Sequence, residues 1–395
     1  MQKNTLQRGG STLTEIDETQ PQEQQYATKQ TTKASILQKA RSREGAKISQ
    51  STELTREQLV LGKRLLKWRT LLPLAIVIAA LIFAMIKANI NIQRAWTAIQ
   101  HANLAFLVAA FVAYYLSFGL RSCRWRILLE NVGYTKENGI QLPGFWSLTK
   151  IIYISCFANA IVPAKLGDLY RAYLLRQQIG VSTTRSFGTV LAERLLDLFI
   201  LLLLFIPAFL ISVLHQPIPA ELVLGVKILL GLIISSIIAL FVLRWQREAI
   251  AKLIPPRYRE HYYHFQEGTL GSFRRLPGLI ALTIGVWVCE ALRFFCIALA
   301  LNLIAGNLLH IAAAALFIGL GEALLTVIPA TGGGVGLVEG GMAGMIALFN
   351  HSSDALSLAT AAIILDRVIS FFSILVFGTL IFALTFGKKT ARKSL

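Results

Sequence analysis

Two short stretches decide the fold of this chain: TVLAERLLDLF at 189–199 and IILDRVIS at 363–370. Each sets an acid–arginine pair, Glu193-Arg194 or Asp366-Arg367, inside apolar sequence of membrane length. Ionisable groups inside a bilayer are costly and mark function by default. Working outward, Arg121 and Pro163-Ala164 precede the first pair, as Arg293 and Pro329-Ala330 precede the second. The offsets nearly agree, at 172 (293 − 121), 166 (329 − 163) and 173 (366 − 193) positions. Repeated halves with Pro- and Gly-interrupted apolar segments are the sequence pattern of a transporter-type site.

The chain has 395 residues, of which 55% are hydrophobic and only 15% charged, which excludes an ordinary soluble domain. Apolar runs at 71–88, 103–120, 187–214, 222–243, 277–304 and 357–386 reach or approach the roughly 20 residues that cross a ~30 Å hydrocarbon core. Backbone groups must be satisfied inside lipid, so these are helices, and the alternation of a transmembrane barrel is absent. The net charge of +18 sits between the apolar runs, where it orients a membrane protein. Base-stacking aromatics do not accompany it, so no nucleic-acid partner is expected. Cys123, Cys156, Cys289 and Cys296 match no zinc spacing. No metal, cofactor or catalytic constellation is expected, since Walker, GxSxG and HExxH motifs are missing.

Residues 1–69 read as a disordered cytoplasmic tail with a basic juxtamembrane end, 70–388 as the membrane domain and 389–395 as a cytoplasmic C-terminus. No cleavable signal peptide is expected ahead of the first apolar run. With the basic segment before Leu71 inside, the positive-inside rule makes 145–180 enter from the cytoplasm and return to it. By the same rule 311–349 dips in from outside, and 244–275 is a basic cytoplasmic loop. Arg124 and Arg171 then read as orientation charges, and Trp68, Trp125, Trp146 and Trp245 as an inner aromatic belt. The expected fold is an all-α polytopic membrane protein. It is an inverted repeat of halves at about 103–214 and 277–386, with two re-entrant, broken helical segments of opposite orientation. The expected location is the plasma or inner membrane, with both termini cytoplasmic, and the oligomeric state is unread.

Arginine suits a phosphate because its planar fork donates two parallel hydrogen bonds and stays charged. Arg121, Arg194, Arg293 and Arg367 are the candidates, one leaflet-facing and one deep arginine per half. Glu193 lies roughly 10 Å along its helix from the inner end, and Asp366 about 14 Å along its helix from the outer end. The pairing expected is local: Glu193 and Asp197 share a face, Arg194 three positions before Asp197 can pair with it, and Asp366 neutralises Arg367. The run Thr331–Gly336, with Gly332, Gly333 and Gly334, can present successive N–H groups to an anion. Lys165 and Asp168 occupy the corresponding place in the first half. Glu290, one helical turn before Arg293, neutralises it or balances charge, and Glu322 and Glu339 either bind a proton or cation or pair with Arg367. A structural ion pair between helices is the plainer reading of both acid–arginine pairs.

RSCRWRILL at 121–129, NAIVPAKLGDLYRAYLL at 159–175, VLAERLLDLF at 190–199, TVIPATGGGVGLVEG at 326–340 and ILDRVISFF at 364–372 carry a resemblance. Together they resemble the lysylphosphatidylglycerol synthase transmembrane region family, also called flippase-like domain proteins, over roughly residues 70–388. In the multiple peptide resistance factor proteins this region resembles the part that moves aminoacylated phospholipid between leaflets. Other members resemble proteins of hopanoid, glycolipid or polyprenyl-linked sugar pathways. The chain ends at Leu395 without the soluble transferase domain, so the resemblance implies lipid handling rather than lysyl transfer. The leading expectation is therefore a lipid flippase whose partners are membrane lipids. A non-transporting membrane partner of a lipid-modifying or glycosyl transferase is the alternative, as is the membrane part of a synthase lacking its transferase domain. An enzyme with acids hidden in the membrane is a third class.

Overall fold

Helix α1 (Ile92–Gln100) opens the described chain, capped by the Asn91 side chain, which accepts the Arg94 N–H at 3.0 Å. It lies between the apolar runs at 71–88 and 103–120. The structure, a computed structural model, describes residues 91–162, 165–213, 220–327, 334–350 and 354–381. The tail at 1–69, the apolar run at 71–88 and the C-terminus at 389–395 lie outside the described residues. The described residues form helices joined by turns and short irregular links, without strands, as the apolar patterning requires. Among the described residues, five helices are long and apolar enough to span a membrane, or six when a pair bent by 87° counts as one.

Helix α2 (Leu104–Asn131) runs past the predicted end of its apolar stretch and keeps the whole RSCRWR segment helical. Helices α3 (Phe145–Ile161) and α4 (Leu166–Ile179) are the two arms of the first predicted dip. At 17 and 14 residues they reach roughly 26 and 21 Å, short of a full crossing. Their arms meet at Gly167, where an added Cβ would stand 2.2 Å from the Ser155 carbonyl oxygen. Helix α5 (Thr183–Val213) follows as a full span, then α6 (Ala220–Trp245).

The segment 244–275, read as a basic loop, is instead helical: α7 (Arg247–Leu253), then α8 (Pro256–Gly271) and a 3-10 turn at Ser272–Arg275. The sequence misleads there because charges mask the periodicity, while Gly188 and Gly268 let α5 and α8 touch backbone to backbone. A Cβ on Gly268 would lie 2.1 Å from the Arg185 carbonyl oxygen. Helix α9 (Leu276–Ala300) packs along α2 in the principal interface between the halves, where Glu290 meets Ser117 and Arg121, and Thr283 meets Arg124. In the second predicted dip, α10 (Leu308–Val327) is itself of spanning length, and α11 (Leu337–Ala347) is short. Helix α12 begins at Ala355–Arg367, passes through a π-helical turn at Val368–Phe372 and continues to Ile381.

Lipid tails are as apolar as leucine, so apolar burial gives membrane helices little reason to associate. Close packing and polar contacts hold them, which makes the placement of each charge structurally decisive.

Candidate functional site

Adjacent residues on a helix point about 100° apart, so an acid and the arginine after it face different neighbours. This overturns the pairing of Asp366 with Arg367 expected from sequence, and leaves the expected Arg194–Asp197 pair as a 4.0 Å contact. Glu193 and Asp197 both turn to Arg124 of α2, at 2.6 Å each, and the second Glu193 oxygen meets Arg171 of α4 at 2.8 Å. Arg194 instead forms a bidentate pair with Asp168 of α4, both bonds at 2.8 Å, and lies 4.0 Å from Asp197. In the second half Asp366 pairs with Arg293 of α9, not with its neighbour, and Arg367 meets Glu339 of α11 at 2.8 Å.

One scheme therefore occurs twice. The acid of each pair takes an arginine from the first helix of its half, Arg124 or Arg293. The arginine of each pair takes the acid at the third position of the helix after the break, Asp168 or Glu339. The structural counterpart of Arg293 is thus Arg124, not Arg121 as the offsets suggested. Arg124 and Arg171, read as orientation charges, are 0% and 3% exposed. Trp125, read as part of the inner belt, is fully buried, with the Arg171 guanidinium 3.9 Å above its ring and its own N–H donated to Thr189.

Between the halves lies a cavity of about 230 Å³. Arg121, Arg194, Arg293 and Arg367, the four arginines singled out in sequence, all line it. Lys165, Glu290, Glu322 and Gly334 line it as well, with Tyr114, Asn159 and Trp287. Lys165 stands at the start of α4 in the left-handed conformation (φ 53°, ψ 36°), which is sterically unfavourable for a residue with a Cβ. Glu290 bridges the halves: it accepts from Arg121 at 3.0 Å and from Ser117 at 3.3 Å, and lies 3.4 Å from Arg293. Arg293 faces three carboxylates, adding Glu322 at 2.8 Å and Asp366. Glu339 takes both Arg367 and the backbone N–H of Gly336. Glu193 and Asp197 do not line the cavity, because Arg124 and Arg171 draw them to the other side of α5.

Gly332, Gly333, both Pro-Ala dipeptides and the tips of both dips lie outside the described residues. Gly334 and Gly336 have φ of 73° and 94°, backbone that favours glycine. The described His, Cys, Asp and Glu residues form no group able to hold a metal ion. The indole nitrogen of Trp287 is buried at the cavity wall with no hydrogen-bond partner.

A family model described as the lysylphosphatidylglycerol synthase TM region matches residues 71–378. The chain belongs to that family. A UPF0104 membrane protein of Methanocaldococcus jannaschii is 36% identical over 228 residues, covering 57% of this chain and 93% of that protein. A UPF0104 membrane protein of Methanothermobacter thermautotrophicus is 25% identical over 327 residues, covering 74% of this chain and 86% of that one. The glycosyltransferase AglD of Haloferax volcanii is 27% identical over 158 residues, which is 37% of this chain and 24% of AglD. No solved structure matches the chain. Within this lysylphosphatidylglycerol synthase TM region protein, Arg124, Arg171 and Trp287 are the residues that sequence reading passed over. The signal for Arg124 was available: it lies three residues after Arg121, one turn further along the same apolar helix.

Proposed function

We propose that this membrane protein binds the phosphate-bearing headgroup of a lipid in the cavity between its halves and moves it from one leaflet to the other. The observation that carries this reading is the convergence of Arg121, Arg194, Arg293 and Arg367 on one cavity inside membrane-spanning helices. Arg194 and Arg367 grip the phosphate, while Arg121 and Arg293 meet it on entry. The activity makes and breaks no covalent bond and needs no cofactor. The lipid is an aminoacyl-phospholipid, a glycolipid phosphate or a polyprenyl-linked species.

Reconstitution in vesicles with a labelled anionic phospholipid tests it. Wild type accelerates transfer between leaflets, and Arg194→Ala and Arg367→Ala lower the rate about tenfold or more. Loss of one charge-assisted hydrogen bond, worth about 1.5–3 kcal/mol, sets that scale. Both variants remain folded, because Asp168 keeps Asn159 and Glu339 keeps the Gly336 N–H as partners. Unchanged rates in both would remove the assignment.

The halves work as an inverted repeat in the plasma or inner membrane, with both termini cytoplasmic. The α3–α4 hairpin faces the cytoplasm and the α9–α10 turn faces outside. In a cysteine-free background, Gln178→Cys then labels from the cytoplasmic side and Leu309→Cys from the opposite side. Labelling of both from one side contradicts the inversion.

The partial match to a glycosyltransferase favours a second reading, in which the protein is the membrane partner of a glycosyl or other lipid-modifying transferase and moves nothing. Transfer by the purified protein alone excludes it.

A further inference from the structure

The charges around the cavity count out evenly. Its lining supplies five cations, Arg121, Lys165, Arg194, Arg293 and Arg367, against two carboxylates, Glu290 and Glu322. Three more carboxylates stand directly behind those cations: Asp168 on Arg194, Asp366 on Arg293 and Glu339 on Arg367. Five cations thus meet five carboxylates. The neighbouring network of Arg124 and Arg171 with Glu193 and Asp197 is separately neutral. With every group ionised, the empty site carries no net charge among the described residues.

A phosphodiester headgroup brings one negative charge into this balance. Inside a membrane an uncompensated charge is expensive, and the usual remedy is a change of protonation. The buried Trp287 N–H, 9% exposed and without a partner, adds a donor for an anion but no charge. Two carboxylates are within reach of a proton entering the cavity. Glu290 accepts from Arg121 and Ser117, has Arg293 as a second ionic partner at 3.4 Å, and latches one half to the other. Glu322 has one ionic partner, Arg293, which it shares with Glu290 and Asp366. Neutralising Glu322 removes the least attraction, since Arg293 keeps two carboxylates.

We infer that anionic headgroup and proton enter this site together, with Glu322 as the proton acceptor. The inference rests on the headgroup-binding reading above and adds the ion that accompanies the lipid. All charged and titratable groups facing Glu322 fit it. Arg293 and Glu290 face it from α9, and Asp366 and Arg367 from α12. Tyr114 and Arg121 of α2, Cys156 of α3 and Arg194 of α5 complete the lining, with Lys165 at the start of α4, Asp168 behind Arg194 and Glu339 behind Arg367. When lipid binds, Arg293 exchanges the Glu322 carboxylate for the phosphate, and the freed carboxylate takes a proton from water. The pair is then electrically neutral as it crosses.

Calorimetric titration of the full chain in detergent with dioctanoyl phosphatidylglycerol, in two buffers of different ionisation enthalpy, counts the protons. Wild type takes up about one proton per lipid bound, and affinity falls about tenfold per pH unit where Glu322 must be protonated for binding. Uncharged dioctanoylglycerol produces no uptake. Glu322→Gln binds phosphatidylglycerol with no proton uptake and no pH slope. Wild-type binding without proton exchange at any pH overturns the inference and leaves the headgroup reading intact. No binding at all removes that reading instead. Uptake that persists in Glu322→Gln and disappears in Lys165→Met moves the proton to Lys165 and overturns the assignment. If Glu322→Gln is not recovered folded, infrared difference spectra of the wild type decide. A protonated-carboxyl band on lipid binding supports a carboxylate acceptor, and its absence rules one out.

Discussion

The two halves share one pairing scheme and use it differently. In the first half the scheme is sealed: Arg124 is wholly buried, and Arg171 adds a second cation against Glu193. In the second half it is open: Arg293 lines the cavity and faces three carboxylates, of which only Glu290 has a second arginine, Arg121. Both cavity-lining carboxylates, Glu290 and Glu322, come from the second half. The first half contributes the cations without a matching repeat partner, Arg121 and Lys165. What is common to the halves reads as architecture. What differs reads as the working part.

Substitution at the two central arginines should break this contrast most visibly. Breaking a buried pair costs about 3–5 kcal/mol. Arg293→Gln strands Glu322 and Asp366 beside Glu290, which keeps Arg121, and should lose stability at the top of that range. Arg124→Gln leaves Arg171 beside Glu193 and should lose less. Thermal unfolding in detergent ranks them, and the reverse order contradicts the sealed and open description.

The acids should invert that ranking. Glu193→Gln strands both Arg171 and part of Arg124, for about 3–5 kcal/mol, whereas Asp366→Asn leaves Arg293 with Glu290 and Glu322 and should cost roughly half as much. Equal losses in an equilibrium denaturation series would mean that the shared arginine gives no redundancy.

The smallest difference is at Ser370, whose hydroxyl reaches Asp366 at 3.3 Å, at the long end of hydrogen-bond geometry. Ser370→Ala should change stability by under about 1 kcal/mol. Its carbonyl contact with the Tyr114 hydroxyl, 2.8 Å, is untouched by the substitution. A larger loss would place Ser370 among the essential partners of Asp366.

Much of this was legible in sequence. Spans, breaks and the four cavity arginines follow from hydropathy, Pro-Ala dipeptides and the cost of intramembrane charge. Of the pairings, Arg194 with Asp197, Glu290 with Arg293 and Glu339 with Arg367 were legible. The others were not, because sequence neighbours suggest contact where a helix turns side chains apart. Asp168 pairs with Arg194 across 26 positions, and Asp366 with Arg293 across 73. Only the meeting of α4 with α5, and of α9 with α12, brings them together. The positive-inside rule also absorbed Arg124 and Arg171, since it counts basic residues without asking whether they are buried. Helical structure in 244–275 was hidden for a related reason: its contact with α5 runs through glycine backbone rather than through an apolar stripe.

The π-helical turn at Val368–Phe372 acts on α12 as a frameshift acts on a message. It spends one more residue than an α-turn, with the Ser373 N–H reaching back to the Val368 carbonyl. Everything beyond is therefore set by that extra residue. Ser373 receives the Tyr115 hydroxyl on its side chain and the Tyr153 hydroxyl on its carbonyl. Gly378 lies against the Phe157 ring so closely that a Cβ would stand 2.5 Å away. Removing one residue from 368–372 would rotate this distal segment by about 100°. It would turn both contact points off their partners at once, while leaving every side chain in the segment chemically unchanged.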